Sequence, residues 1–206
     1  MRTGKGGRRD IRRHRPDGRF RIIGGEWRGR RFNFPALAGV RPTGDRVRET
    51  LFNWLQPVIT GARCLDLFAG SGALGLEALS RGAGEVVFVD CERSLLESVK
   101  EHLRTVERDT GFRCIRADAG DFLRSDPGQF DIVFLDPPFG ADRISEMCRL
   151  LDHAHLLAAN ARVYLETEVG AELGLPASWR LLRSARAGNV GYHLAAVTIE
   201  PTEATD

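Results

Sequence analysis

A glycine-rich turn near residue 70 is the first feature of the sequence that could do chemistry. Gly70, Gly72 and Gly75 have the G-x-G-x-x-G spacing, and Asp90 follows 20 residues after Gly70. Glycines let a ligand approach the backbone closely, and a helix that begins at the turn offers free N–H groups. A carboxylate at the position of Asp90 can accept hydrogen bonds from ribose hydroxyls. The pattern predicts a nucleotide-type cofactor and fits NAD, FAD or S-adenosylmethionine.

An acidic residue in an apolar segment helps to separate these cofactors. Asp66 stands four residues before Gly70, between leucines. A buried carboxylate is unfavourable unless it has a partner such as a backbone amide or a cationic ligand. The sulfonium and α-ammonium groups of S-adenosylmethionine would compensate the charge better than an anionic pyrophosphate, so Asp66 favours S-adenosylmethionine.

A second motif, Asp136-Pro137-Pro138-Phe139, directly follows the apolar segment Phe130–Leu135. In open α/β folds, ligands bind at the carboxyl ends of the strands. Two prolines fix the backbone and remove its N–H donors, so the loop presents acceptors only. With a planar Phe139 beside them, these acceptors predict a site for a flat ring that bears an amino group.

These residues must be positioned by an alternation of strands and helices that begins near residue 63. Short apolar segments alternate with segments of helical period, which predicts a parallel sheet covered on both faces. The predicted strands are Arg63–Phe68, Glu85–Asp90, Phe112–Asp118, Phe130–Asp136 and Arg162–Thr167, and the predicted helices are Ala73–Arg81, Ser94–Val106 and Asp142–Leu151. Trp179–Ala185 and Tyr192–Ile199 are strand-like and too close together for a crossover helix. The fold class is therefore α/β, with a Rossmann-like, mostly parallel seven-stranded sheet that ends in an antiparallel hairpin.

The residues before this repeat form a small extension. Residues 1–19 contain a single large aliphatic residue and are predicted to be a disordered basic tail. Residues 20–57 are predicted to form a hairpin and a helix, with Thr43 as the helix N-cap, and to be an RNA-binding appendage. Residues 58–206 are predicted to form the catalytic domain.

Charge is distributed very unevenly along the chain. Residues 1–48 hold 15 lysines and arginines against four acidic residues, a net charge of +11, whereas residues 49–206 hold 15 against 24, a net charge of −9. Nearly all the basic residues are arginines, whose planar guanidinium suits phosphate. An arginine-rich segment on an acidic body predicts a polyanionic partner such as nucleic acid, with a solvated basic tail as the alternative for residues 1–19.

Several ordered motifs together resemble one known family. Asp66-x-x-x-Gly70-x-Gly72 and Asp136–Phe139 resemble the motifs of S-adenosylmethionine-dependent methyltransferases that act on exocyclic amines. More narrowly, the sequence resembles the bacterial 16S ribosomal RNA guanine-N2 methyltransferase family, named for guanine 966. The segments that carry this narrower resemblance are Arg21–Gly25, Trp27–Arg30, Arg41–Trp54 and Phe68–Arg81. The resemblance runs from about Phe20 to Ile199, and the arginine-rich residues before Phe20 depart from it.

The resemblance implies a class I methyltransferase fold and a role for each matching residue. The residues that would bind S-adenosylmethionine are Asp66, Phe68, Gly70, Ser71 and Gly72 around the methionine half, Asp90 at the ribose, and Asp118 and Ala119 at the adenine. An alternative role for Asp118 is to cap the segment Ala119–Arg124. The implied catalytic residues are Asp136, Pro137 and Phe139. The arginines that we expect to contact RNA are Arg21, Arg28, Arg30, Arg31, Arg41, Arg46 and Arg48.

The function that follows is methylation of the N2 amine of a guanine in 16S ribosomal RNA, either free or in a small ribosomal subunit. We expect a cytoplasmic monomer that needs no metal and does not associate with membranes. One alternative keeps the chemistry but changes the acceptor to adenine or cytosine in DNA, or to a glutamine side chain. An NAD-dependent oxidoreductase would leave Asp66 and the Asp136–Phe139 motif unexplained, and a non-catalytic RNA-binding module would not need the acceptor-only loop.

A few further polar residues are candidates for the rim of the site. Glu166 and Glu168 flank the end of the fifth predicted strand, and Tyr192 opens the last one. The histidines form no cluster, and the four cysteines form no C-x-x-C pair. Neither a zinc site nor a disulfide framework is therefore predicted.

Overall fold

The computed structural model describes residues 18–35, 37, 42–138 and 141–197, with the side chains of residues 141 and 142 left out. Two of the predicted site residues, Arg41 and Phe139, lie outside this part of the chain. The strands are β1 (Gly18–Arg21), β2 (Arg31–Phe34), β3 (Arg63–Asp66), β4 (Glu85–Asp90), β5 (Phe112–Arg116), β6 (Phe130–Leu135), β7 (Leu157–Glu168), β8 (Trp179–Ala187) and β9 (Val190–Val197). The helices are α1 (Asp45–Leu55), α2 (Ala73–Ser80), α3 (Arg93–Thr105), α4 (Ala119–Arg124) and α5 (Ala141–His153).

Seven of these strands form one sheet in the order β5-β4-β3-β6-β7-β9-β8. The strands from β5 to β7 are parallel, and β9 runs antiparallel to both of its neighbours. The prediction of a mostly parallel seven-stranded sheet with a terminal antiparallel hairpin is confirmed. After β3 the chain builds toward one edge of the sheet, and from β6 it builds toward the other. The crevice where this order reverses lies at the carboxyl ends of β3 and β6, which is where such sheets bind ligands.

The sheet is buried on both faces, which explains why its strands are continuous apolar runs rather than alternating ones. On one face, β1, β2 and α1 share a hydrophobic core with α2 and α3. On the other face, α4 and α5 pack over a second core. The N-terminal extension is thus packed into the fold as part of one of its two layers.

Two local predictions need correction at the N-terminal side. β1 pairs with β2 from Gly18 onward, so the predicted disordered tail was drawn two residues too long. Residues 1–17 lie outside the described part. Helix α1 has Gly44 at its N-cap with no side-chain cap, so the prediction that Thr43 caps it is wrong. The hydroxyl of Thr43 donates a hydrogen bond to Asp136 instead.

Two strands near the C-terminus are longer than predicted. β7 begins at Leu157, where the sequence Leu-Ala-Ala-Asn-Ala offers no β-branched residue to indicate a strand. Its pairing with β6 shifts register between Phe130 and Ile132. β8 and β9 pair up to Ala187 and Val190, so their loop is the two-residue turn Gly188-Asn189, shorter than the segment between the two predicted strands.

No helix of the described residues is long and apolar enough to cross a membrane. Within the same residues, no cluster of three or more histidine, cysteine or acidic side chains could hold a metal ion.

Candidate active site

The glycine turn between β3 and α2 forms one wall of the crevice. Gly70 and Gly72 have φ angles of 51° and 77°, in the left-handed region that glycine adopts without strain. Oδ2 of Asp90 accepts a hydrogen bond from the Gly70 amide at 2.8 Å, and its Oδ1 accepts one from the Glu92 amide at 2.8 Å. The carboxylate at the end of β4 therefore fixes the turn while lying beside it. The structure brings these predicted cofactor residues together.

Asp66 is buried at the end of β3, as its apolar neighbours indicate. Its Oδ2 accepts a hydrogen bond from the Gly75 amide at 2.9 Å, in the first turn of α2. Burial raises the pKa of Asp66 to about 7, the Gly75 hydrogen bond opposes this, and the charge of Asp90 adds to it. The backbone-amide partner considered from the sequence is therefore present, and it compensates the burial only in part.

Gly75 itself serves close packing between α2 and the sheet. A Cβ at Gly75 would lie 2.2 Å from the Phe88 ring, and one at Gly72 would lie 2.6 Å from Val99. Ser71 is buried in the turn, between Gly70 and Gly72. The glycines thus serve both the turn and the packing of the helix that begins there.

Asp118 follows β5, at the same edge of the sheet, and its capping role is confirmed. Its Oδ1 accepts a hydrogen bond from the Gly120 amide at 2.8 Å, and α4 begins at Ala119. Its Oδ2 accepts one from Nη2 of Arg143 at 3.2 Å. The same guanidinium lies 5.7 Å from the centre of the Phe68 ring. Arg143 thus links Phe68 to Asp118 across this side of the crevice.

Asp136 is the first residue after β6, and its carboxyl group is largely removed from water. Oδ2 of Asp136 accepts a hydrogen bond from the Thr43 hydroxyl at 3.3 Å. Burial raises the pKa of Asp136 well above its usual range, the nearby charges of Glu166 and Asp66 raise it further, and the Thr43 hydrogen bond opposes them. Pro137 and Pro138 come next, so neither residue has an N–H to offer beside this carboxylate.

Glu166, considered from the sequence as a rim residue, lies next to Asp136, and Tyr192, the other such residue, lies one strand farther away on β9. β6 and β7 pair in parallel with Leu135 opposite Leu165, which makes Glu166 the next residue beside Asp136. Oε1 of Glu166 accepts a hydrogen bond from the buried Tyr164 hydroxyl at 2.7 Å. Tyr192 pairs with Glu166 across β9 and stacks on Trp54, with ring centres 5.6 Å apart. Glu168 is exposed, two residues farther along β7.

The burial of Arg48 contradicts one predicted RNA contact. Its side chain is 0% exposed, so it cannot reach a phosphate, and the prediction that it binds RNA is wrong. Its guanidinium donates to the Arg21 carbonyl at 2.8 Å, to Asp45 at 2.7 Å and to the Thr43 carbonyl at 3.0 Å. It also donates to Glu77 of α2 at 3.3 Å. Burial lowers the pKa of Arg48, and the two carboxylates oppose this.

Glu77 is the partner that the sequence did not reveal, because α2 shows only an apolar pattern around it. This carboxylate is 0% exposed and accepts hydrogen bonds from the amides of Ile23 and Gly24, each at 2.8 Å. It also accepts one from Nε of Arg81 at 2.8 Å. Two consecutive backbone amides and two arginines therefore converge on one buried residue of the helix that begins at the glycine turn.

The remaining predicted RNA-contacting arginines lie at the surface. Arg28, Arg30 and Arg31 of the hairpin and Arg46 of α1 are exposed. The Arg21 side chain is 58% exposed while its Nε donates to Asp45 at 2.7 Å. These positions leave guanidinium groups available to a polyanion on the side of the molecule that carries the hairpin.

Comparison with known proteins places the chain among methyltransferases. The family model described as Conserved hypothetical protein 95 matches residues 20–196. Ribosomal RNA small subunit methyltransferase D of Escherichia coli strain K12 is 47% identical over 184 residues, which are 88% of this chain and 91% of that protein. A solved structure of the E. coli methyltransferase yhhF is 43% identical with a TM-score of 0.82, covering 88% of this chain and 99% of that one. An S-adenosylmethionine-dependent methyltransferase of Streptococcus mutans shares the fold at 17% identity, with a TM-score of 0.68 over 81% of this chain and 53% of that one.

Proposed function

We propose that this chain, which belongs to the Conserved hypothetical protein 95 family, methylates the N2 amine of a guanine in 16S ribosomal RNA. Its sequence is closely similar to that of ribosomal RNA small subunit methyltransferase D. It is an S-adenosylmethionine-dependent methyltransferase of small-subunit ribosomal RNA. The finer proposal, guanine N2, depends on one observation above all. A buried carboxylate, Asp136, stands at the carboxyl end of β6 before two prolines, where the backbone offers acceptors and no donors.

The residues of the crevice fit S-adenosylmethionine. Asp66 is a buried carboxylate with one backbone hydrogen bond, and no cationic side chain of the described residues pairs with it. The α-ammonium group of the methionine half would supply that missing charge. Asp90 lies beside the glycine turn, where its carboxylate would accept hydrogen bonds from the ribose hydroxyls. Asp118 and Ala119 follow β5, where they would contact the adenine. When bound, S-adenosylmethionine supplies a methyl group activated by attachment to a positively charged sulfur.

Asp136 performs the step that the guanine amine requires. The N2 lone pair is delocalised into the ring, so the amine is a weak nucleophile. Acceptance of its two N–H groups by the Asp136 carboxylate and the Pro137 carbonyl favours a pyramidal nitrogen whose lone pair faces the methyl carbon. When the methyl group is transferred from sulfur to this nitrogen, with the C–S electron pair left on sulfur, Asp136 would accept the proton that the amine releases. Removal of one such hydrogen bond in a water-poor site costs about 2.7 to 4 kcal/mol, or roughly 10²- to 10³-fold in rate.

Phe139, outside the described residues, would stack on the base. RNA would reach this site along the side that carries the exposed arginines of the hairpin and α1. The body of the chain, with a net charge of −9 over residues 49–206, would repel a phosphate backbone unless these arginines compensate. Phosphate contacts of this kind orient a nucleic acid without reading its sequence, so base selection is assigned to the crevice.

Identification of the methylated nucleoside tests the proposal. The protein is incubated with labelled S-adenosylmethionine and, separately, 16S RNA, small ribosomal subunits, DNA or a protein extract. Mass spectrometry of the digested product should find N2-methylguanosine from one of the two ribosomal substrates. Methyladenine, methylcytosine or methylglutamine as the main product would replace guanine N2 with the corresponding acceptor.

A further inference from the structure

The N-terminal extension reaches the catalytic carboxylate through Thr43. This residue lies just before α1 and does not cap it. Its hydroxyl donates to Oδ2 of Asp136 at 3.3 Å, a hydrogen bond between residues 93 positions apart. A carboxylate oxygen that accepts this bond is held in one orientation, which leaves the other oxygen, Oδ1, to face a substrate.

A buried ion network holds Thr43 in place. Nε of Arg48 donates to the Thr43 carbonyl at 3.0 Å, while Nη1 donates to Glu77 at 3.3 Å. Both of these charged side chains are 0% exposed. Because Glu77 belongs to α2, which begins at the glycine turn, the position of Thr43 is set relative to the cofactor side of the crevice. A guanidinium held at four points leaves little freedom to the backbone it bonds.

Several titratable groups face Asp136 from neighbouring strands. Glu166 lies beside it on β7, and Asp66 acts on it from β3. Glu166 itself accepts a hydrogen bond from Tyr164, and Tyr192 of β9 pairs with it. The Thr43 hydroxyl therefore bonds one of two neighbouring carboxylates whose negative charges repel each other.

We propose that Thr43 is a positioning residue of the active site, whose hydroxyl orients the Asp136 carboxylate toward the guanine amine and offsets the negative charge of Glu166 beside it. This inference depends on the proposed function only for the identity of the amine. An ionised Asp136 is required because a protonated carboxyl group would have to give up its proton before it could accept one from the amine. Thr43 and Glu166 thus act on the same carboxylate in opposite directions.

Two variants with opposite signs test this inference. A hydrogen bond to the charged form of an acid lowers its pKa, and a neighbouring like charge raises it. Thr43→Val should therefore raise the titration midpoint of Asp136 by about half a pH unit or more, and Glu166→Gln should lower it by a similar amount. The midpoint is read from the carboxyl carbon of Asp136 by NMR, in protein labelled with ¹³C-aspartate and assigned by comparison with Asp136→Asn. This readout needs no substrate.

The single-turnover rate should follow the same shifts. Thr43→Val should lower the rate at pH 7 about 3-fold or more and move the acid limb of the pH profile upward by about half a pH unit or more, because less of Asp136 is ionised. Thr43→Ser restores the hydroxyl and should rescue both the rate and the limb. Thr50→Val, on α1 with its hydroxyl donating to the Arg46 carbonyl, is the matched control.

The results separate this inference from the proposed function. A Thr43→Val midpoint equal to that of the unaltered protein would overturn the inference, as would a rate loss equal at every pH that serine does not rescue. If the midpoints shift as expected while the methylated product is another amine, the inference stands and guanine N2 is wrong. Binding of S-adenosylmethionine, measured by calorimetry, should be unchanged in Thr43→Val and shows that the variant is folded.

Discussion

At the scale of single residues, the same side-chain type performs different work because its surroundings differ. Asp90 accepts two backbone hydrogen bonds and fixes the glycine turn. Asp118 caps a short helix. Asp66 is buried, the carboxyl group of the half-buried Asp136 is largely removed from water, and the pKa values of both are raised. The residue type therefore indicates an acidic site, whereas burial and hydrogen bonding determine which acids are poised to bind a cation or a proton.

Asp66→Asn should make the protein more stable at high pH and weaken cofactor binding. The pKa of Asp66 is about 7 when folded and near 3.8 in the unfolded chain, so the stability it contributes is complete below pH 3.8 and is lost as pH rises through 7. A neutral asparagine has no such loss and can still accept from the Gly75 amide. Because Asp66 of the unfolded chain ionises near pH 3.8, urea unfolding should show a gain in stability already at pH 5 and a gain larger by up to a few kcal/mol at pH 8.

Affinity for S-adenosylmethionine should fall at both pH values in the Asp66→Asn variant, because the charge opposite the ammonium group is removed. In the unaltered protein, affinity should rise between pH 6 and pH 8 as Asp66 ionises. Asp121→Asn, which removes an exposed carboxylate of α4 paired with Arg124, is the control for both measurements. If the stability difference is the same at pH 5 and pH 8, Asp66 is ionised in the folded protein without a cofactor.

Asp136→Ala should separate chemistry from cofactor binding. The variant loses the acceptor for the amine and leaves Asp66, Asp90 and the glycine turn in place. Binding of S-adenosylmethionine should stay within a few-fold, while the single-turnover rate falls at least about 10²-fold. The single-turnover rate of Asp136→Asn, which keeps one acceptor oxygen but no charge, should lie between the rates of the alanine variant and the unaltered protein. A rate above half the normal value in the alanine variant would remove Asp136 from the mechanism.

At the scale of elements, the joint between the N-terminal extension and α2 explains why the hairpin and the glycine turn form one body. The Ile23 and Gly24 amides bond Glu77, and the Ser80 hydroxyl accepts from the Trp27 amide and donates to the Gly24 carbonyl. Gly25 has a φ of 77°, and a Cβ there would meet the Ser80 carbonyl at 1.8 Å. Gly25 is therefore required for the close approach of this turn to α2.

Arg48→Met should test the strength of this joint. Removal of one partner from a buried ion pair leaves the other charge uncompensated and costs about 3 to 5 kcal/mol. Glu77 keeps the two amides and Arg81, so we expect the lower end of that range in urea unfolding at pH 7. Arg46→Met, two residues earlier in the same helix and exposed, should change stability by less than about 0.5 kcal/mol. Equal stability of the two variants would mean that the buried network contributes little.

At the scale of the whole molecule, the uneven charge of the chain coincides with its architecture. The exposed arginines of the hairpin lie on the layer that packs over α2 and α3, while acidic residues end several strands at the crevice. The polyanion would therefore be held beside the crevice, and the neutral amine of one base would be presented to its carboxylates. This arrangement separates RNA attraction from methyl transfer.

Replacement of Arg28, Arg30 and Arg31 by alanine should weaken RNA binding at every sequence. The slope of log affinity against log salt should shrink by about 0.7 to 0.9 for each phosphate that is no longer neutralised. The matched control removes the same charge from the opposite edge of the sheet, by alanine at Arg180, Arg183 and Arg186 of β8. Equal effects of the two triple variants would mean that RNA responds to net charge alone.

Deletion of residues 1–17 should also reduce the salt slope without changing which base is methylated. These residues hold seven of the basic side chains, and the glycine turn and both buried carboxylates lie beyond residue 60. Cofactor affinity should therefore be unaffected. A change in the methylated nucleoside would assign a role in base selection to this segment.

The sequence alone determined the fold class, the order of the strands and helices along the chain and the types of residue at the crevice, because these depend on local patterns. The periodicity of apolar residues, the ends of the strands and the G-x-G-x-x-G spacing can all be recognised within short stretches of sequence. The tertiary structure alone decided that Thr43 serves Asp136 rather than α1, that Arg48 is buried on Glu77, and that Glu166 stands beside Asp136. The Thr43–Asp136 and Arg48–Glu77 hydrogen bonds join residues 93 and 29 positions apart. The pairing of polar side chains over such a distance depends on how the layers pack, which no local pattern contains.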